Sequence, residues 1–159
     1  MYSDALSSCI EISIGLAGFS GIVAAIQSSR GSITDQQIVA FQTLLGASAF
    51  TALFALFPLY LLFESPSRWG VFSAVYALLF VGFGVYRAAQ LVMGTVPKAL
   101  GWIIVVNSTW VAAIHLFNTL FWNSGEVYIS MLILHLAFAF SAFVTLMRSV
   151  TSKNETAVS

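Results

Sequence analysis

Four ionisable side chains stand inside stretches apolar enough to lie in hydrocarbon: Glu11, Arg87, His115 and His135. An ion in a bilayer core is costly, so each is a functional candidate until a partner accounts for it. The histidines invite chemistry most directly, because a neutral imidazole ligates metals and titrates at about pH 6.5. Counted from the ends of their apolar segments, both fall in the same half of the membrane at similar depth, on a rise of ~1.5 Å per residue. Glu11 belongs to that half. A Glu11/His115/His135 set has the donor types for a metal ion or a proton relay, and the two histidines alone could ligate a haem. The competing account is that each imidazole hydrogen-bonds a neighbouring helix and holds the bundle together.

Arg87, in "GFGVYRAAQ", shares a helical face with Ser73, Tyr76, Phe80, Gly84 and Gln90. It lies ~20 Å deeper than Glu11 on the same rise, so the two are not expected to pair. Its stem is long enough to snorkel toward headgroups. Gln42, Ser73, Arg87, Gln90, Ser108, His115 and Asn118 together give polar stripes that could line an aqueous route for an ion or small solute. No H-E-x-x-H, no G-x-S-x-G and no paired carboxylates on one helix face occur, so an enzyme is not expected. There is no basic patch with interleaved aromatics, which argues against a nucleic-acid partner. The single cysteine, Cys9, allows neither an internal disulfide nor a cysteine-based zinc motif.

The elements that must position these residues follow from composition. Of 159 residues, 59% are hydrophobic and only 8% charged, with net charge zero, and the mean hydropathy is +0.94. A soluble domain carries about a quarter charged residues, so this chain reads as an integral membrane protein. Five apolar segments, about 8–28, 38–63, 69–93, 100–122 and 127–148, each approach the ~20 residues that cross hydrocarbon. The prediction is an all-α polytopic membrane bundle of five transmembrane helices, or four if one segment is re-entrant. It forms a single domain over 1–159 with a polar, frayed tail at 150–159. Turn chemistry separates the spans: Gly31 with a Thr34/Gln37 capping box, then Pro66, Gly94 with Pro97, and Gly125. The short loops make successive helices antiparallel neighbours. Pro58 is expected to kink the second helix.

Basic residues set an expected orientation. Arg30, Lys98, Arg148 and Lys153 fall on one side, with Arg87 close by, and only Arg68, beside Glu64, falls on the other. The positive-inside rule puts the N-terminus outside and the C-terminus in the cytoplasm. The sequon at Asn154 would then never meet its transferase. "MYSDALSS" lacks the positive region of a secretory signal, so the first segment is read as a retained helix. Trp69, Trp102 and Trp122 fall near predicted helix ends, where interfacial aromatics belong.

In "EISIGLAGFSGIVAAI", Ile12, Leu16, Phe19, Val23 and Ile26 project into one sector. Gly15, Ala17, Gly18, Gly21 and Ala25 lie around the rest, with Ser13, Ala17, Gly21 and Ala25 in a small-xxx-small ladder. The expectation is bulky residues toward lipid and small residues toward neighbouring helices or a second subunit, since close backbone approach holds helices together in lipid. This segment, with the Arg30 linker and "LFALFPLYLLF" after it, resembles uncharacterised small multi-pass membrane proteins of bacteria. The resemblance covers the first two helices, implies a bacterial inner membrane, and brings no function with it. Three readings stand: a homo-oligomeric channel-like or transport-like protein, a haem- or metal-binding protein using His115 and His135, and a non-catalytic scaffold or partner subunit.

Overall fold

The computed structural model describes residues 2–29, 35–61, 68–94 and 98–156. Arg30, Gly31, Thr34, Glu64, Pro66 and Pro97 lie outside the described residues, as do the side chains of Lys153 and Asn154. Five long helices follow in order: α1 (Tyr2–Ser29), α2 (Asp35–Leu61), α3 (Trp69–Val92), α4 (Lys98–Phe117) and α5 (Gly125–Thr156), with a π-helical turn at Asn118–Trp122 closing α4. No strand occurs among the described residues. All five helices are long and apolar enough to cross a membrane, and the protein is a multi-pass integral membrane protein with an all-α fold. Large side chains that would be buried in a soluble domain lie on the outside, among them Leu78, Phe121 and Ile103. A bilayer accepts that surface; water does not.

Two helices run past the limits that hydropathy suggests. α1 begins at Tyr2, so the polar "YSDALSS" is helical, and α5 continues to Thr156. Backbone hydrogen bonding does not stop where hydropathy does. Pro58 is buried within α2, one turn before its end at Leu61, and the helix runs on through it.

The chain forms two compact units. One comprises residues 1–59 and 132–159. Its core gathers Val23 of α1, Ala40 and Leu44 of α2, and Ala139, Ala142 and Leu146 of α5, with Leu16, Phe41, Ala47 and Phe143 packed against them. The buried stripe of α1 is Leu6, Cys9, Ser13, Ser20 and Val23, a three-and-four spacing on one helical face. Ser13 and Ser20 can lie there because each hydroxyl donates back to its own helix, to the carbonyls of Cys9 (2.7 Å) and Ala17 (2.6 Å). The bulky sector anticipated for lipid is therefore split. Leu16 and Val23 turn inward, Phe19 stands edge-on to Phe143, and Ile12 and Ile26 remain exposed.

The other unit comprises residues 60–131: the last residues of α2, all of α3 and α4, the π-turn and the first turns of α5. Its core is aromatic and polar. Ser73, Tyr76, Ala77 and Phe80 of α3 face Ser108, Val111, Ala112, His115 and Asn118, all buried. Gly84 lets α3 approach α4 closely, since a Cβ there would sit 3.3 Å from Cβ of Ser108. Gly94 ends α3 with φ +70°, the left-handed conformation that glycine adopts without penalty.

Candidate functional site

Among the described residues, a dense cluster of polar and aromatic side chains lies where α3 begins, α4 ends and α5 begins. "FWNSGE" cannot continue α4 as a helix. Asn123 takes the left-handed conformation (φ 47°, ψ 41°), which asparagine tolerates better than most residues. Its N–H donates to the carbonyl of Asn118 at 2.7 Å, five positions back, the spacing of a π-turn. Ser124 then caps α5, its hydroxyl accepting from the N–H of Val127 at 3.3 Å. The same hydroxyl donates to Glu126 at 2.6 Å.

The turn is tied to α3 by side chains. Asn118 is fully buried; its Nδ2 donates to Ser73 Oγ (2.8 Å) and to the Ser124 carbonyl (3.0 Å), and its Oδ1 accepts from the Ser124 N–H (2.9 Å). Thr119 Oγ1 lies 3.1 Å from the Gly70 carbonyl and 2.8 Å from that of His115. Asn123 Oδ1 accepts from the N–H of Gly70. Gly70 and Gly125 are demanded by crowding: a Cβ on Gly125 would lie 2.7 Å from Cε2 of Trp69, and one on Gly70 would meet the Asn123 amide.

Above this lock, His115 is fully buried between two tyrosines. Its ring centroid is 4.1 Å from that of Tyr76 and 5.6 Å from that of Tyr128. The tyrosines are themselves fully buried and 6.0 Å apart, edge to face. Trp69 and Phe72 continue the cluster around Tyr128, at 5.5 and 6.4 Å. Such aromatic pairs add to area burial through their quadrupoles. The enclosed imidazole and phenols hold the right groups for proton exchange, but all three are shut off from the chain's surface.

The remaining candidates are dispersed. Glu11 and Gln42 are exposed on α1 and α2 of the first unit, and His135 is buried in its α5 portion. Gly15, Gly18 and Gly21 are exposed, and a Cβ added to any of them would meet nothing within 4 Å; Ala25 is exposed and Ala17 half-buried. Arg87 and Gln90, both half-buried in α3, do come together, Arg87 Nη1 donating to Gln90 Oε1 at 2.9 Å. Among the described residues no three of His, Cys, Asp and Glu gather in one place. Trp102 and Trp122 are exposed near helix ends, whereas Trp69 is buried against Gly125 and Tyr128 and serves packing instead.

Sequence reasoning put Asn118 and His115 among the candidates but missed Tyr76 as the ring packed on His115, and Asn123 with Gly70 as a second tie between the turn and α3. The signal for Asn123 was present, since Asn-Ser-Gly is a chain-reversing triplet. Tyr76 and Tyr128 carried no signal beyond their place on apolar stripes. No protein-family model matches the chain, and no curated protein or solved structure matches it.

Proposed function

We propose that this membrane protein is the subunit of a homo-oligomer of channel-like or transport-like character, with a polar route for an ion or small solute between copies. The observation that supports the reading is the exposure of Glu11 and Gln42 on helices that cross the membrane. Glu11 follows Asp4 by seven positions, ~10 Å along the axis. A carboxylate facing hydrocarbon is costly, and the cost is relieved when a second chain or a water-filled route covers that face. The open backbone at Gly15, Gly18 and Gly21 suits close approach by another helix. A route inside residues 60–131 is disfavoured, because Ser73, Asn118 and Thr119 spend their polar groups on neighbouring backbone and side chains.

That sealed network also favours a second reading, a non-catalytic scaffold or partner subunit whose polar residues are interhelical glue. An orientation with the N-terminus outside and the C-terminus cytoplasmic is favoured by Arg30, Lys98, Arg148 and Lys153 against Arg68, and a bacterial inner membrane is favoured only by the resemblance of the first two helices. Flux through proteoliposomes tests the conducting reading. Wild type should pass an ion or small solute, and Glu11→Gln or Gln42→Leu should slow it severalfold. No flux for several ions and pH values, from a protein that still assembles, would leave the scaffold.

A further inference from the structure

The end of the 60–131 unit away from the Asn118 lock carries a different kind of site. Arg87 sits in α3 five positions before its end at Val92, ~8 Å from that end on a rise of ~1.5 Å per residue. α3 spans 24 residues, ~36 Å, against a hydrocarbon core of ~30 Å. The Arg87 backbone therefore lies about one turn inside the core, and its stem can carry the guanidinium to headgroup level.

The guanidinium is held in one posture. Its carbon is 5.1 Å from the ring centre of Phe83 and 5.9 Å from that of Tyr86, within cation–π range. Nη1 donates to Gln90 Oε1 at 2.9 Å, and Gln90 Nε2 in turn donates to Tyr86 Oη at 2.8 Å. Gln90 is thus fixed from behind and presents its oxygen, not its amide nitrogen, to Arg87. Between Glu64 and Glu126 the sequence has no acidic residue at all, and Glu126 lies at the opposite end of the unit, bonded to Ser124. The α3–α4 end instead adds Lys98, exposed at the start of α4. An ordered cation at headgroup depth, at the same end of the unit as Lys98 and on a stretch of chain without acids, suits an anion that offers two oxygens to the planar guanidinium fork, as a tetrahedral phosphate does.

We propose that Arg87, oriented by Gln90 and Tyr86 and assisted by Lys98, binds the phosphate of an anionic glycerophospholipid. The partner is lipid and not a soluble anion, because the flanking residues Val85, Tyr86 and Val92 are exposed apolar or aromatic surface that acyl chains cover. Arg87 and Gln90 then belong to the protein's lipid boundary and not to a solute route. Gln90 is a positioning residue.

Native mass spectrometry of the detergent-purified protein tests this, with phosphatidylglycerol and phosphatidylcholine added at equal concentration and inorganic phosphate in a separate arm. Wild type should retain phosphatidylglycerol over phosphatidylcholine by about tenfold, the scale of one charge-assisted contact. Arg87→Ala should abolish the preference. Arg87→Lys, which keeps the charge and loses the fork, should retain part of it, and so should Gln90→Leu. Arg68→Ala, at the other end, should leave it intact and serves as the folded control. Equal retention of the two lipids by wild type, or an undiminished preference in Arg87→Ala and Arg87→Lys, overturns the proposal. Inorganic phosphate displacing bound phosphatidylglycerol at millimolar concentration would overturn the assignment to lipid.

Discussion

Replacing Asn118 by alanine removes three side-chain hydrogen bonds at once: to Ser73 Oγ at 2.8 Å, to the Ser124 carbonyl at 3.0 Å and from the Ser124 N–H at 2.9 Å. In soluble proteins a neutral bond is worth a net ~1 kcal/mol, and measured interhelical bonds in membranes average ~0.6 kcal/mol. The three together give ~2–3 kcal/mol, and the cavity left by a fully buried amide adds to it. Ser73→Ala removes only one of them and should cost ~0.6–1 kcal/mol. A double-mutant cycle on Ser73 and Asn118 should return a coupling of that same size, ~0.6–1 kcal/mol, since the two side chains share a single bond. Reversible unfolding in mixed micelles, followed by tryptophan fluorescence, measures all of these, with Trp69 beside the site as reporter. An Asn118→Ala protein within ~0.5 kcal/mol of wild type would refute the reasoning, as would a Ser73→Ala cost exceeding that of Asn118→Ala.

Three further outcomes follow from the same region. Gly125→Ala brings a methyl to 2.7 Å from Trp69 Cε2; it should cost ~1–3 kcal/mol and shift the tryptophan emission, with Trp69→Phe recovering part of the loss. Asn123→Gly keeps the left-handed turn and loses the acceptor for the Gly70 N–H, whereas Asn123→Ala loses both, so alanine should be the worse by ~1 kcal/mol in the same unfolding assay. His115→Ala empties a site enclosed by Tyr76 and Tyr128 and should cost ~2–4 kcal/mol, while His115→Phe, which refills it, should cost less than half as much. Equal losses for the alanine and phenylalanine variants would mean that the imidazole nitrogens, and not the ring's volume, hold the cluster.

The architecture was legible because bilayer thickness imposes one length on every span, and five apolar runs of that length are hard to misread. Which face of a helix turns inward was less legible. In α1 the alternation of large and small residues suggested small residues toward neighbouring helices or a second subunit and bulk toward lipid; within the chain Ser13, Ser20 and Val23 are buried, while Gly15, Gly18 and Gly21 are open. Serine hides in an apolar interior by bonding its own backbone, so a polar letter is a weak guide to exposure inside a membrane. Hydropathy likewise began α1 too late and ended α5 too early, because it reports where lipid begins and not where backbone hydrogen bonds stop. In the 60–131 unit, His115 and Asn118 stood out as polar residues in apolar runs. The residues around them did not: Tyr76 is an ordinary core aromatic until α3 lies beside α4, and Gly70 and Gly125 matter through the crowding at Asn123 and Trp69 and, for Gly70, its bonds to Asn123 and Thr119.

The central claim is that copies of this chain associate in the membrane through a face that includes Glu11 and the open glycines of α1. Counting subunits decides it most directly, by stepwise photobleaching of singly labelled protein reconstituted into lipid nanodiscs at one complex per disc. The account predicts a fixed number of steps greater than one for wild type, falling toward one when Gly18→Leu fills the open face. A single bleaching step for wild type across lipid compositions would contradict it.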